Sequence, residues 1–194
     1  MKKFVVILLL INLIVSNANS IEPDVFVQST VNRASEILSK NISKEEKING
    51  LKIIAKETVD IRGIGFYSLG STRKVLNDSQ KQKYFDLFEN YFLKSFSSRL
   101  SEYTNPKIEV QDKKEINRNY TIVNSILVSS TDRPEVKIDW RVYTKNPDNP
   151  LIRDLIIEGL SLARTQKEEF ASVLNSNNND INSLFKTLEE FSKN

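Results

Sequence analysis

This 194-residue chain contains neither cysteine nor histidine. Without cysteine it cannot form a disulfide, a thiolate metal site or a thiol nucleophile, and without histidine it has no imidazole base or ligand. Glycine is scarce as well, and three of the 5 glycines fall close together, at Gly63, Gly65 and Gly70. Many enzyme and metal-site classes are therefore excluded, and stability must come from packing.

The N-terminal residues have the three parts of an export signal. Lys2 and Lys3 precede an apolar core from Phe4 to Val15, and small residues follow up to Ser20. The core is about twelve residues long, whereas a membrane-spanning helix needs roughly 20. We therefore expect cleavage after Ser20 rather than an anchor, with residues 1–20 as the signal and residues 21–194 as a single soluble, exported domain.

The net charge is close to neutral. Lysine and arginine number 28 against 25 acidic residues, and removal of Lys2 and Lys3 with the signal leaves 26 basic residues. No long basic run is present, so the composition does not favour a nucleic-acid partner.

Two amphipathic helices are predicted at the start of the exported part. Pro23 suits a first helical turn, and apolar residues then recur at helical spacing to about Lys40. Ser43 and Glu46 have the spacing of a capping box, which opens a second helix that runs to about Val59.

A short, bent helix ending at Gly70 and one long helix are predicted next. Asn77, Asp78 or Ser79 can cap the long helix. Its wide apolar face is unusually aromatic and consists of Tyr84, Phe85, Leu87, Phe88, Tyr91, Phe92, Phe96, Leu100 and Tyr103.

Beyond Pro106 the apolar pattern changes to a period of two, which predicts strands. Short polar turns between the strands imply antiparallel neighbours. In the third strand, apolar residues that include Trp140 alternate with polar ones. We therefore expect one face of the sheet to meet water and helices to cover the other. The apolar strand positions are Ile108 and Val110; Tyr120, Ile122, Ile126 and Val128; Val136, Ile138, Trp140 and Val142; and Leu151 to Ile157.

Two further helices are predicted after Gly159, which ends the last strand. The first contains Leu160 and Phe170, and Asp180 can cap the second. Helices, then an antiparallel sheet, then helices make an α+β fold.

The polar residues give little indication of a catalytic site. Asp139, Asp154 or Glu158 could in principle form an acid and base pair, yet their spacing selects no pair. Ser161 after Gly159 lacks both the second glycine of a nucleophile elbow and a histidine to activate it, so we expect it to cap the following helix. The oxygen-rich stretch before Asp180 does not match a calcium loop.

One string of residues resembles a known family. The sequence from Asp154 to Leu162, with Leu69-Gly70 and the aromatic segment from Tyr84 to Tyr103, is similar to the MlaC (toluene-tolerance) family of periplasmic phospholipid-binding proteins. The chain departs from that pattern at Pro150 to Arg153, where the family usually has a tryptophan, and at Gln166-Lys167, where it usually has Tyr-Arg.

The resemblance implies an NTF2-like fold, in which a twisted antiparallel sheet of about four strands is wrapped by N- and C-terminal helices around a deep apolar pocket. The pocket would hold the acyl tails of a phospholipid, with a volume near the upper end of the roughly 300 to 1,000 Å³ typical of ligand sites. The exposed cations Arg62, Arg73, Lys74 and Arg141 would lie near its mouth. The implied tail-binding wall is Phe66, Leu69, Phe88, Phe92, Phe96, Ile126, Val136, Ile138, Trp140, Val142, Ile156 and Leu160.

The implied function is that of a monomeric carrier without cofactor. It would shuttle phospholipid between an outer-membrane lipoprotein complex and an inner-membrane ABC transporter with its lipid-binding subunit, and so maintain outer-membrane lipid asymmetry. Two other classes stay open: an exported module that binds another hydrophobic ligand or a protein partner, and an NTF2-like hydrolase, which the absence of histidine disfavours. Without the resemblance, the same apolar residues would be interpreted as a solid core.

Overall fold

The computed structural model describes residues 20–130 and 134–193, so the predicted export signal up to residue 19 lies outside the described residues. Within them the chain forms six α-helices, a short 3-10 turn at Thr72–Lys74 and five strands. The helices are α1 (Pro23–Ser39), α2 (Lys44–Thr58), α3 (Ile61–Ser68), α4 (Asp78–Leu100), α5 (Leu162–Ser176) and α6 (Ile181–Lys193). The strands are β1 (Ile108–Asn117), β2 (Tyr120–Leu127), β3 (Val136–Tyr143), β4 (Leu151–Ile157) and β5 (Leu160–Ser161).

Local capping chemistry sets the helix starts much as predicted. Ser43 and Glu46 form a reciprocal capping box at the start of α2. Asn77 makes the same arrangement with Gln80 at the start of α4, so Asn77 is the cap among the three predicted candidates. These side chains satisfy backbone N–H groups that have no partner inside the helix.

The strands form one antiparallel sheet in the order β1-β2-β3-β4-β5. The predicted antiparallel neighbours are therefore confirmed, and β5 is an additional strand of two residues. Glu158 and Gly159 form the tight turn between β4 and β5, with φ values of +49° and +83°. Positive φ at both turn residues is typical of a two-residue hairpin. Leu160 lies in β5 and not in the helix where the sequence placed it.

The apolar pattern identified the buried face of β3 but not that of β2. Trp140 is buried in β3 as expected, and Val123 lies opposite it on β2. The residues of β2 that carried the apolar pattern, Ile122 and Ile126, lie on the opposite, half-buried face. The buried positions of β2 are Thr121, Val123, Ser125 and Leu127.

An aromatic cluster holds α3, α4 and α5 together. The rings of Tyr84 and Phe88 stack with centroids 5.6 Å apart, and Phe170 of α5 meets Phe88 edge-on at 6.1 Å. The hydroxyl of Tyr84 donates a 3.1 Å hydrogen bond to the carbonyl of Gly65 in α3, and burial raises the pKa of this phenol. The helical layer over the sheet is thus fixed mainly by aromatic packing.

Among the helices of the described residues, none combines the length and the apolar composition that a membrane crossing requires.

Candidate functional site

A cavity of about 270 Å³ lies between α4, α5 and the buried face of the sheet. Its wall is aromatic and aliphatic on the α4 and sheet sides and more polar along α5. The lining residues are Val59, Ile64, Phe88, Tyr91, Phe92, Ser95, Phe96, Arg99, Trp140, Ile152, Asp154, Leu155, Leu162, Ala163, Thr165, Gln166, Glu169 and Phe191.

Three phenylalanines of α4 form one side of the cavity. Phe88, Phe92 and Phe96 follow one another at intervals of four residues, which places them on the same helix face. Phe92 and Phe96 stack almost parallel, with centroids 5.6 Å apart and planes 10° apart. Phe88 is buried, whereas Phe92 and Phe96 are half-buried, so the ring surface continues from the core into the cavity.

The sheet contributes Trp140 and its neighbours. Trp140 of β3 lies opposite Leu155 of β4, and both side chains line the cavity. The indole N–H of Trp140 donates a 2.8 Å hydrogen bond to the hydroxyl of Ser125, which itself donates to the carbonyl of Ile138 at 3.0 Å. The polar edge of the indole is therefore satisfied inside the sheet, which leaves its apolar surface for the cavity.

Asp154 is a buried carboxylate in the cavity wall, 4% exposed. Its Oδ2 accepts a hydrogen bond from the hydroxyl of Ser161 at 2.6 Å, and its Oδ1 accepts one from the backbone N–H of Ala163 at 3.0 Å. Ser161 also accepts from the N–H of Arg164, so its predicted role as a helix cap is confirmed. Because these donors belong to the first turn of α5, the carboxylate fixes that helix against the sheet.

The cavity meets solvent where its lining residues are exposed. Leu162, Arg99, Glu169 and Phe191 are all exposed residues of the wall, and we call these four the rim. Phe191, in the last turn of α6, packs its ring 4.7 Å from that of Tyr91.

Tyr91 stands just inside the rim on α4. Its hydroxyl donates to the side-chain carbonyl of Gln166 at 2.9 Å, which joins α4 to α5 across the cavity. Burial raises the pKa of Tyr91, so the phenol keeps its proton at neutral pH.

Four of the twelve residues of the predicted wall line this cavity: Phe88, Phe92, Phe96 and Trp140. Leu69, Ile138 and Val142 are buried elsewhere in the core, and Phe66 packs against Phe85 with centroids 4.7 Å apart. Ile126 and Ile156 pair with Lys137 and Asp139, on the sheet face turned away from Trp140. Val136 is half-buried at the start of β3, and Leu160 is 60% exposed. The cations Arg62, Arg73, Lys74 and Arg141 are not part of the cavity wall.

The α5 side of the wall was not predicted as a site. Ala163, Gln166 and Glu169 belong to an amphipathic helix whose sequence gives no sign that one flank borders a cavity. Phe191 belongs to the predicted final helix, whose sequence gives no sign that its last turn borders a cavity. Tyr91 could have been chosen, since it shares the aromatic face of α4 with the phenylalanines.

The cavity is smaller than expected. The sequence led us to expect a pocket near the upper end of the range for ligand sites, and about 270 Å³ lies slightly below the lower end of roughly 300 Å³. The expected size is therefore wrong for this conformation, because the large rings that form the wall also fill the space between α4 and the sheet.

The described residues contain no cluster of side chains suited to metal binding. Across residues 20–130 and 134–193, no group of three or more carboxylates is arranged to hold a metal ion.

Comparisons with known proteins agree with the fold. The curated protein named "Intermembrane phospholipid transport system binding protein MlaC" from Haemophilus influenzae is 24% identical over 161 residues, covering 79% of this chain and 75% of that protein. The structure of a phospholipid-binding protein from Ralstonia solanacearum, in complex with a phospholipid, matches with a TM-score of 0.74 and 18% identity, covering 89% of this chain and 98% of that one. The model of the family described as MlaC protein matches residues 28–190, and the chain belongs to this family.

Proposed function

We propose that this protein is a periplasmic phospholipid carrier that holds acyl tails in the cavity between α4, α5 and the sheet. The observation that carries the proposal is this cavity, open at the surface and walled by Phe92, Phe96, Trp140 and Leu155, in a chain of the MlaC family. The curated relative is named for intermembrane phospholipid transport, and the similar solved structure holds a phospholipid, which supports the same ligand class here.

Burial of acyl chains provides the driving force. Each methylene removed from water contributes about 0.8 kcal/mol, so two tails of roughly 15 carbons are on the order of 20 kcal/mol less stable in water than in an apolar medium. Free diffusion of phospholipid between membranes is therefore negligible. An apolar cavity buries the tails much as the bilayer does. The free energy of transfer from bilayer to carrier is then only a small difference between these two large burial free energies.

The cavity is too small to hold two complete acyl tails in this conformation. A dry cavity of about 150 Å³ takes one benzene, or about 25 Å³ per carbon, and this ratio gives room for roughly eleven carbons here. Two tails therefore require α4 and α5 to separate from the sheet, or require the tails to extend through the rim. The same observation favours a second candidate ligand, a single-tailed amphiphile such as a lysophospholipid or fatty acid.

The buried carboxylate and the phenol in the cavity wall are engaged in structural bonds, which does not favour a catalytic role for either. Asp154 accepts from Ser161 and Ala163, and Tyr91 donates to Gln166. The chain has no histidine to serve as a base. A binding role without chemistry is therefore the function that this site supports best, in line with the lipid-transport role of the family's named relative.

We also propose the cellular setting. Residues 1–20 would direct export and be removed, and residues 21–194 would form the single carrier domain in the periplasm. The monomer would exchange lipid with an outer-membrane lipoprotein complex and with an inner-membrane ABC transporter and its lipid-binding subunit. Support for this setting comes from the predicted export signal and from the name of the curated relative, which places that protein in an intermembrane system.

Titration of delipidated protein with defined lipids tests the ligand class. Trp140 is the single tryptophan and lies in the cavity wall, so its fluorescence reports occupancy directly. We expect a two-tailed phospholipid to change the emission and to compete with a labelled phospholipid. If only the single-tailed lipid binds, the second candidate replaces the first, and if neither changes the emission, the cavity assignment is wrong.

A further inference from the structure

We propose that the surface formed by α3, the following 3-10 turn and the neighbouring flank of α5 docks on a bilayer that carries anionic phospholipid headgroups. We call this surface the basic patch and define it by Arg62, Tyr67, Arg73, Lys74, Val75 and Lys167. The proposal does not depend on what the cavity holds, because none of these residues lines it.

The first observation is a local excess of positive charge in a nearly neutral protein. Between Ile61 and Asn77 the chain has three cations and no acidic residue. Lys167 of α5 adds a fourth cation, with its Nζ 5.2 Å from the ring centre of Tyr67. In the part of the chain that the structure describes, none of the four cations belongs to an ion pair.

The second observation is that three of the four cations, Arg62, Arg73 and Lys167, contact the fold. Arg62 lies over the ring of Phe85 at 4.3 Å, and that ring touches Phe66. Arg73 reaches back to donate to the carbonyl of Phe66 at 3.3 Å. Arg62 and Arg73 thus both contact the pair of Phe66 and Phe85, in which Phe85 is buried and Phe66 half-buried, so these two charges are held beside the same part of the core.

The third observation is exposed apolar surface inside the charged area. Val75 is 82% exposed, the largest value among the exposed large hydrophobic residues of the described chain, and Tyr67 is 43% exposed. Cations around an exposed aliphatic and an aromatic residue are the combination that binds the interface of an anionic membrane. The cations meet the headgroups, while Val75 and Tyr67 enter the boundary with the acyl chains.

Vesicle binding of the chain purified from the periplasm tests the proposal. We expect it to co-sediment with vesicles of equal parts phosphatidylglycerol and phosphatidylcholine, to leave pure phosphatidylcholine vesicles unbound, and to dissociate as salt is raised. Each cation near an anionic surface is expected to contribute about fivefold in partitioning, so Arg73→Glu with Lys74→Glu should weaken binding at least about twentyfold.

The matched control reverses two cations elsewhere. Arg118 and Lys145 are exposed in two neighbouring loops, which are joined by the 2.9 Å hydrogen bond from the N–H of Thr144 to the carbonyl of Asn119. Arg118→Glu with Lys145→Glu makes the same change in net charge and should leave binding within about twofold. Val75→Ser keeps every charge and should weaken binding severalfold through the lost apolar contact.

Three results would overturn the proposal. One is equal loss in the two double variants, which would indicate a general charge effect. Another is unchanged binding when Arg73 and Lys74 are reversed. The third is absence of wild-type binding to phosphatidylglycerol vesicles at low salt, which would leave an acidic protein as the better occupant. Circular dichroism of each variant checks that it is folded, and its uptake of labelled lipid is expected to be unchanged.

Discussion

Trp140 and Ser125 are joined across β2 and β3 by a hydrogen bond of 2.8 Å from the indole N–H to the serine hydroxyl. Both residues are buried, so this bond satisfies a polar group that would otherwise lie unpaired beside the cavity. It also explains why a small polar residue occupies a core position of β2. The orientation of the only tryptophan, and with it one wall of the cavity, depends on this serine.

Replacing Ser125 with alanine should destabilise the protein. Ser125→Ala leaves the buried indole N–H without its acceptor, and an unsatisfied buried donor costs about 1 to 3 kcal/mol. We expect a fall of this size in the free energy of unfolding, measured by urea denaturation. Ser98→Ala, at a half-buried serine of α4, serves as the control and should change the value by less than about 0.5 kcal/mol. Equal stability of the two variants would contradict the structural role given to Ser125.

Filling the cavity should strongly reduce lipid uptake without unfolding the protein. Ser95 lines the cavity and is half-buried, whereas Ser98, about one turn further along α4, is also half-buried and does not line it. Ser95→Phe should therefore lower the amount of labelled phospholipid bound at saturation by about tenfold, because an added ring takes up a large part of the space. The control, Ser98→Phe, should bind as the wild type does, and a similar loss in both variants would refute the placement of the ligand.

Alanine variants of two glycines should be destabilised for different reasons, one by overpacking and the other by backbone strain. A Cβ added to Gly65 would lie 2.8 Å from Cδ1 of the buried Phe88, so Gly65→Ala should cost about 1 to 3 kcal/mol through overpacking. Gly159 has φ of +83° and no atom within 4 Å of an added Cβ, so Gly159→Ala should cost about 1 kcal/mol through the backbone alone.

Lipid uptake distinguishes the two glycine variants further. Gly65→Ala displaces a ring of the cavity wall, and we expect it to reduce binding of labelled phospholipid. Gly159→Ala alters only a hairpin turn and should bind normally. Normal binding by Gly65→Ala at a reduced stability would show that Phe88 belongs to the core and not to the functional wall.

A charged contact between α1 and β1 should make stability depend on pH in the acid range. The ammonium group of Lys113 lies 2.6 Å from Oδ1 of Asp24 and lowers the pKa of that carboxyl. Because the pKa is lowered in the folded state, the ionised carboxyl stabilises the fold at pH values above its ordinary pKa of about 4. This stabilisation is lost as the pH falls through the lowered, folded-state pKa. Asp24→Asn should thus reduce the free energy of unfolding by less than about 1 kcal/mol at neutral pH, since the pair is partly exposed.

The sign of this effect is checked by repeating the denaturation in acid. The difference in the free energy of unfolding between wild type and Asp24→Asn should disappear once Asp24 is protonated in both the folded and the unfolded wild type. A difference that stays constant from neutral pH into strong acid would mean that the aspartate acts by packing rather than by charge.

Local sequence rules predicted most of the helices, because their signals are short-range. The Ser43 and Glu46 capping box and the Asn77 cap depend on residues three positions apart. The length of β1 was underestimated for the opposite reason. Its residues beyond Val110 are exposed and, apart from Ile116, polar, and they are extended because they pair with β2.

The site was predicted in part, because an apolar alternation shows neither which sheet face the helices cover nor where the packing leaves a gap. Phe88, Phe92, Phe96 and Trp140 line the cavity, and their role in lipid binding stays a prediction. Ile126 and Ile156 lie on the other sheet face. Ser125 was missed because an isolated polar residue in a strand gives no sign of its partner. The rim depends on how α5 and α6 pack on α4, which is tertiary information.

Native mass spectrometry of the chain purified from the periplasm under non-denaturing conditions tests the central claim most directly. The account predicts a population heavier than the polypeptide by the mass of one phospholipid, which solvent extraction and fragmentation identify. It also predicts that this population is lost in Ser95→Phe and retained in Ser98→Phe. Recovery of the bare polypeptide mass alone, with no lipid in the extract of the wild type, would contradict it.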